Sequence, residues 1–139
     1  MIIVFSMHMS PLRIIYLGAL ILMSVPSYGK DAALTAKWKS FDGAQFPYSK
    51  WIAKKGNAPR AVIIGVHGIS GAASDFNNLG SELSQKGISV YAYELRGQGN
   101  DPDTERIGDL KDVQVWFSDL NSFISSVRKE IGTVPIFLY

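Results

Sequence analysis

Apolar positions along this chain fall into runs of two kinds, and the two alternate. Ala61-Val62-Ile63-Ile64-Gly65-Val66 is apolar without a break. Ile88 to Leu95 (Ile-Ser-Val-Tyr-Ala-Tyr-Glu-Leu) and Val134 to Tyr139 (Val-Pro-Ile-Phe-Leu-Tyr) are nearly so. A strand that is apolar on both faces suits the middle of a parallel sheet covered by helices. Between these runs the period changes. Asp75 to Lys86 places Phe76, Leu79 and Leu83 on one helical face, with Ser74 or Asp75 to cap its start and Gly87 to stop it. Lys111 to Ile131 is the clearest helix. Its Val113, Trp116, Phe117, Leu120, Phe123, Ile124, Val127 and Ile131 recur at spacings of three and four, and Gly132 follows.

The segment before these runs is of another kind. Thr35 to Phe41 alternates as a strand does, Asp42-Gly43 is a hairpin turn signal, and Gln45 to Ala53 is the returning strand. Pro47 cannot donate to a ladder, which predicts an edge position or a bulge. Lys54 to Arg60 is a polar loop whose lysines suit a solvated turn. The order is a hairpin, then strand, helix, strand, helix, strand. Such alternation predicts an α/β fold with a parallel sheet and helices on both faces.

The first 29 residues stand apart. They hold all four methionines and one charged residue, Arg13. Ile14 to Val25 carries no charge and is followed by Pro26-Ser27-Tyr28-Gly29. A basic flank, a short apolar core and small residues at Ser27 and Gly29 predict a secretory signal cleaved after Gly29, with export to the periplasm or beyond. Residues 14–25 fall short of the ~20 apolar residues a spanning helix needs, although an uncleaved anchor would tie the chain to a membrane. Residues 30–139 are then the domain.

Composition narrows the function. Hydrophobic residues make up 47% of the 139 and charged residues 19%, with a formal net charge of +2. That balance is too even for a nucleic-acid binder driven by phosphate contacts. There is no cysteine, which excludes disulfides, thiolate metal sites and cysteine nucleophiles.

In open parallel sheets ligands sit at the carboxyl ends of the strands. The loop after the first central strand is His67-Gly68-Ile69-Ser70-Gly71. As a phosphate cradle, Gly65-x-x-Gly68-x-x-Gly71 lacks the Gly-x-Gly start of a dinucleotide fingerprint. As a metal ligand, His67 has no second histidine at ligand spacing. Gly68-Ile69-Ser70-Gly71-Ala72 approximates the Gly-x-Ser-x-Gly of a nucleophile elbow. A serine nucleophile needs a histidine base on a separate loop, and the chain after the leader has only His67, three residues before Ser70. A tight turn with no ligand is the plain alternative. The loop after the second central strand is Arg96-Gly97-Gln98-Gly99-Asn100. Its glycines permit a compact turn, and Arg96 is expected to brace neighbouring loops rather than to touch substrate.

Taken in order, these segments resemble the α/β-hydrolase superfamily, in particular its branch of lysophospholipases, monoacylglycerol lipases and serine aminopeptidases. The resemblance rests on an apolar strand ending in His67-Gly68, a helix, the strand Tyr91-Ala92-Tyr93-Glu94-Leu95 with Arg96-Gly97-Gln98-Gly99, an amphipathic helix, and Pro135-Ile136-Phe137-Leu138-Tyr139. It covers about residues 35 to 139. Glu94 stands where the family usually has Asp, and Asn100 where Ser is common. The resemblance implies that Ile69 lends its backbone N–H to an oxyanion hole, that His67 with Gly68 shapes the turn, and that Arg96, Gly97, Gln98 and Gly99 are structural. It implies a strand at Pro135 to Tyr139 that leads into the nucleophile elbow, and the chain stops before that elbow. Nucleophile, acid and catalytic histidine would all follow, so no catalytic residue is assigned and the 139-residue chain is expected to be inactive alone. No cofactor or metal is implied.

Two functions follow as expectations. One is the N-terminal part of an exported serine hydrolase that acts on carboxylic or lipid esters, with amide hydrolysis of the aminopeptidase type as a lesser variant. The other is a non-catalytic binding module made from part of a hydrolase fold. The last strand weighs against the module, because it would leave an uncovered apolar edge prone to self-association.

Overall fold

A computed structural model describes residues 32–54, 58–109 and 112–139. The leader at 1–29, residues 55–57 of the polar loop and the expected helix start at Lys111 lie outside the described residues. Five strands form one sheet: β1 (Leu34–Lys39), β2 (Gln45–Trp51), β3 (Ala61–Gly65), β4 (Ile88–Tyr93) and β5 (Ile136–Leu138). Their order across the sheet is β1-β2-β4-β3-β5. β3 pairs in parallel with β4 and with β5, whereas β1–β2 and β2–β4 are antiparallel. The sheet is therefore mixed, because the hairpin joins it beside β4.

Pro47 departs from expectation, since β2 lies inside the sheet. The antiparallel ladder with β4 begins one residue later, at Tyr48 opposite Tyr93. Pro47 sits just past the end of β4 and offers only its carbonyl, which accepts the Glu94 N–H at 3.1 Å. A missing donor costs little at that position.

Side-chain alternation sorts the core into two layers. Val62 and Ile64 of β3 with Tyr91 and Tyr93 of β4 face one side, where Phe123 and Val127 of α2 (Gln114–Ile131) cover them. Val90 and Ala92 of β4 face the other side with Trp51, Ala73 and Phe76, and Leu79 and Leu83 of α1 (Asn77–Gln85) pack there. Period-2 alternation along β4 is what lets one strand feed both layers. Phe123 anchors the first layer, its ring 4.7 Å from that of Tyr93 and 5.1 Å from that of Trp38.

Local structure modifies the sequence reading in three places. The first helix opens as a short 3-10 turn, Ala73–Phe76, and becomes α-helical at Asn77. The Asp75 carboxylate accepts the Ala72 N–H at 3.1 Å, so Asp75 caps from inside the first turn. Two residues of the apolar stripe stay outside the core: Val113, at the N-cap just outside the helix, is 48% exposed and Phe117 is 55% exposed. The rest of the stripe packs on the core, with Phe123 and Val127 buried beside Asp119 and with Trp116, Leu120, Ile124 and Ile131 flanking them. β5 is only three residues long and lies at the sheet edge, with Phe137, Leu138 and Tyr139 exposed.

Candidate active site

The parallel pairing brings the carboxyl ends of β3, β4 and β5 side by side, and the Val66 N–H donates to the Tyr139 carbonyl there. Two loops leave these ends, one after β3 and one after β4, and they are stitched together.

His67 is 4% exposed and is the centre of the stitching. One ring nitrogen, Nδ1, lies 3.0 Å from the Gly68 carbonyl, and Nε2 accepts the Leu95 N–H at 3.0 Å. A carbonyl can only accept, so Nδ1 carries a proton and donates to Gly68. The Glu94 carboxylate approaches Nε2 at 3.4 Å. Burial disfavours charge on the ring, but Glu94 and the Gly68 carbonyl favour it more strongly and hold the pKa above the ordinary histidine value.

Gly68 to Gly71 is a turn closed by the Gly71 N–H on the Gly68 carbonyl at 3.0 Å. Ser70, its third residue, has φ +64°, and Ser70 alone among the described non-glycine residues has positive φ. A negative φ followed by a positive one is the pattern of a type II turn, which ordinarily wants glycine at the third position. The Gly68 carbonyl and the Ile69 N–H belong to one rigid peptide plane and point opposite ways. By holding the carbonyl, His67 and Gly71 aim the Ile69 N–H outward. That N–H takes no hydrogen-bond partner among the described residues. The Ile69 side chain is 79% exposed.

Glu94 binds the second loop to the first. Its carboxylate accepts the Ala73 N–H and the Asn100 N–H at 3.2 Å each, and the Asn100 side-chain amide at 2.9 Å. Burial pushes its pKa up, but the His67 ring beside it and the hydrogen bonds from Asn100 and these backbone groups outweigh burial and hold it below the ordinary glutamate value. The two departures from the family pattern, Glu94 and Asn100, are thus partners of each other. Gly99 has φ +57°, and a Cβ there would run into the Glu94 carboxylate. Gln98 reaches the other way and accepts the Ser70 N–H at 2.9 Å.

Arg96 ties three elements together. It grips Asp119 of α2 through Nε and Nη2 at 2.9 and 2.8 Å, and Asp42 of the β1–β2 turn through Nη1 at 2.8 Å. Its guanidinium lies 4.9 Å from the Phe46 ring centre, and its carbonyl accepts Trp116 Nε1–H. The carboxylates first, then burial, set its pKa, and the balance raises it. Asp101 does similar work, taking Arg106 in two bonds and the Gly97 N–H. Sequence reasoning missed Asp119 and Asp101. Asp119 had a signal, because a lone acid on the buried arc of an amphipathic helix requires a buried cation.

Ser70 and His67 do not form a nucleophile and base. Among the described residues the one histidine bonds to backbone and to Glu94, and no hydrogen bond joins it to a serine. A cleft of about 420 Å³ opens beside the second loop, between Phe41, Arg96 and Arg106, and the Gly68–Gly71 turn does not line it.

Three kinds of comparison bear on this arrangement. The sequence profile of the family described as "Serine aminopeptidase, S33" matches residues 57–139, more than half of the chain. Monoglyceride lipase of Rattus norvegicus is 27% identical over 85 residues, which covers 61% of this chain and 27% of that protein. Among solved structures, a soluble variant of monoglyceride lipase from Saccharomyces cerevisiae in complex with a substrate analog superposes with a TM-score of 0.67 at 26% identity, covering 80% of this chain and 36% of that one. A thermostable carboxyl esterase from Bacillus coagulans in complex with glycerol shares the fold, with a TM-score of 0.66, 20% identity and coverage of 78% and 36%. The chain thus spans about a quarter to a third of the length of these proteins. A profile match across the turn, both loops and β5, joined to the shared fold, places this chain in the serine aminopeptidase family of α/β-hydrolases.

Proposed function

We propose that this chain supplies the oxyanion arm of an exported serine hydrolase that cleaves acyl esters of the monoacylglycerol kind. The observation that carries the reading is the Ile69 N–H, held outward at the carboxyl ends of the parallel strands and left without a partner among the described residues. Attack of a serine on an ester carbonyl places negative charge on the acyl oxygen. A fixed backbone N–H at that point stabilises the charge without reorganising. In this reading the nucleophile comes from an elbow after β5, and the residue behind it lends the second N–H. The acid and histidine come later in the sequence. The ester preference is supported by the two monoglyceride lipases at 26% and 27% identity. Export is supported by the composition of residues 1–29.

Ile69→Pro tests this reading in the whole gene product. Proline suits the second position of a type II turn and removes the N–H, together with an isoleucine side chain that is exposed to solvent. With a short-chain nitrophenyl ester, kcat is expected to fall about 10²–10³-fold with KM little changed and the circular dichroism retained. An unaltered kcat in folded I69P would overturn the role given to Ile69. A gene product that hydrolyses no ester would overturn the hydrolase reading itself.

A further inference from the structure

We propose that Gln98 is a positioning residue that selects the left-handed form of the Gly68–Gly71 turn, the form in which the Ile69 donor is presented. This rests on the hydrolase reading above. Ile69 lies between two peptide planes, and each has its own clamp. The plane shared with Gly68 is held by His67 and Gly71 through the Gly68 carbonyl. The plane shared with Ser70 is held by the Gln98 side-chain oxygen, which accepts the Ser70 N–H at 2.9 Å.

The second clamp decides between two turns. Type I and type II turns share the closing bond from the first carbonyl to the fourth N–H, and they differ by a flip of the central peptide. The flip would take Ser70 out of φ +64° into the ordinary region, which steric preference favours for serine. It would also invert the Ile69 carbonyl dipole beside the donor. A left-handed serine persists only where its surroundings over-determine it. Gln98 is that surrounding. Its own place is fixed, because it is 8% exposed, its N–H donates to the Leu95 carbonyl at 3.0 Å, and its carbonyl accepts the Asp101 N–H at 3.1 Å. The β4 loop, which touches no acyl oxygen in this reading, thus sets the conformation of the β3 loop.

The test is amide hydrogen exchange and backbone chemical shifts of the ¹⁵N,¹³C-labelled chain. Gln98→Met keeps length and removes the acceptor. It is expected to speed Ser70 amide exchange by about tenfold, the worth of one hydrogen bond. Ser70 should also leave left-handed shifts while the amides of β3 and β4 keep theirs. Adding Ser70→Gly should restore the turn, because glycine needs no clamp there. If Ser70 stays left-handed and protected in Q98M, or if protection falls equally throughout β3 and β4, Gln98 has no positioning role. Should Q98M not fold, Gln98→Glu, which keeps the acceptor oxygen, must hold Ser70 as the parent does, and release of Ser70 in folded Q98E would also overturn the proposal. Turn conformation is read here whether or not the gene product hydrolyses esters, so the two failures stay separate.

Discussion

Glu94 and Asp119 carry negative charge into the protein, at 4% and 1% exposure, and each is matched by donors rather than left bare. A buried charge costs several kcal/mol unless it is paired or hydrogen-bonded, so both positions commit their surroundings. For Glu94 this gives a prediction with a definite sign. Its folded pKa lies below the ordinary value of 4.5, so the unfolded chain binds more protons on the acid side. The stability it contributes is fully present above about pH 4.5 and is lost as pH falls through the lowered folded value. Urea unfolding across that window should show stability rising with pH in the parent and rising less steeply in Glu94→Gln, and parallel curves would contradict this. The sequence displayed Glu94 only as a departure from a pattern. Its partners, His67 and Ala73, lie 27 and 21 positions away, and no local period links them. His67, Gly68 and Arg96 stood out in the sequence because each follows an apolar strand directly. The bond from Ser70 to Gln98 did not, since loop-to-loop contacts have no periodicity to announce them.

The elements were read well where burial is two-sided and less well where it is one-sided. β3 and β4 are apolar on both faces, so a continuous run identified them, and α2 carried a long helical stripe. Six of the eight stripe positions pack on the core; Val113 lies just before the first helical residue, and Phe117 stands at the outer border of the apolar arc. The hairpin's place inside a mixed sheet was not legible, because Pro47 suggested an edge and only the early end of β4 makes it harmless. Gly80 in α1 tests the packing of the second layer. On helix propensity alone, alanine there would stabilise by about 1 kcal/mol. A Cβ at Gly80 would instead collide with the Trp51 ring, which is 2% exposed. Overpacking of this kind costs about 1–3 kcal/mol. Gly80→Ala is therefore expected to lower the midpoint of thermal unfolding, and a raised midpoint would show that Trp51 moves aside freely.

As a whole, the molecule concentrates its irregular backbone at one end of a regular sheet. The loops after β3 and β4, the β1–β2 turn and the start of α2 are tied there by Glu94, Arg96 and Gln98, and the Ile69 N–H emerges from that brace. β3 and β4 form the two-sided core of the sheet, and β5 lies at its edge with Phe137 and Leu138 exposed and Tyr139 exposed just after it. In the reading offered above, the catalytic serine stands beyond that edge and Ser70 is a turn residue. The site of covalent labelling by a fluorophosphonate, which captures activated serines, tests this most directly. Mass spectrometry of the labelled gene product should find the adduct on a serine after residue 139, and the 139-residue chain alone should remain unlabelled. An adduct on Ser70 of the 139-residue chain, abolished by Ser70→Ala, would contradict the account.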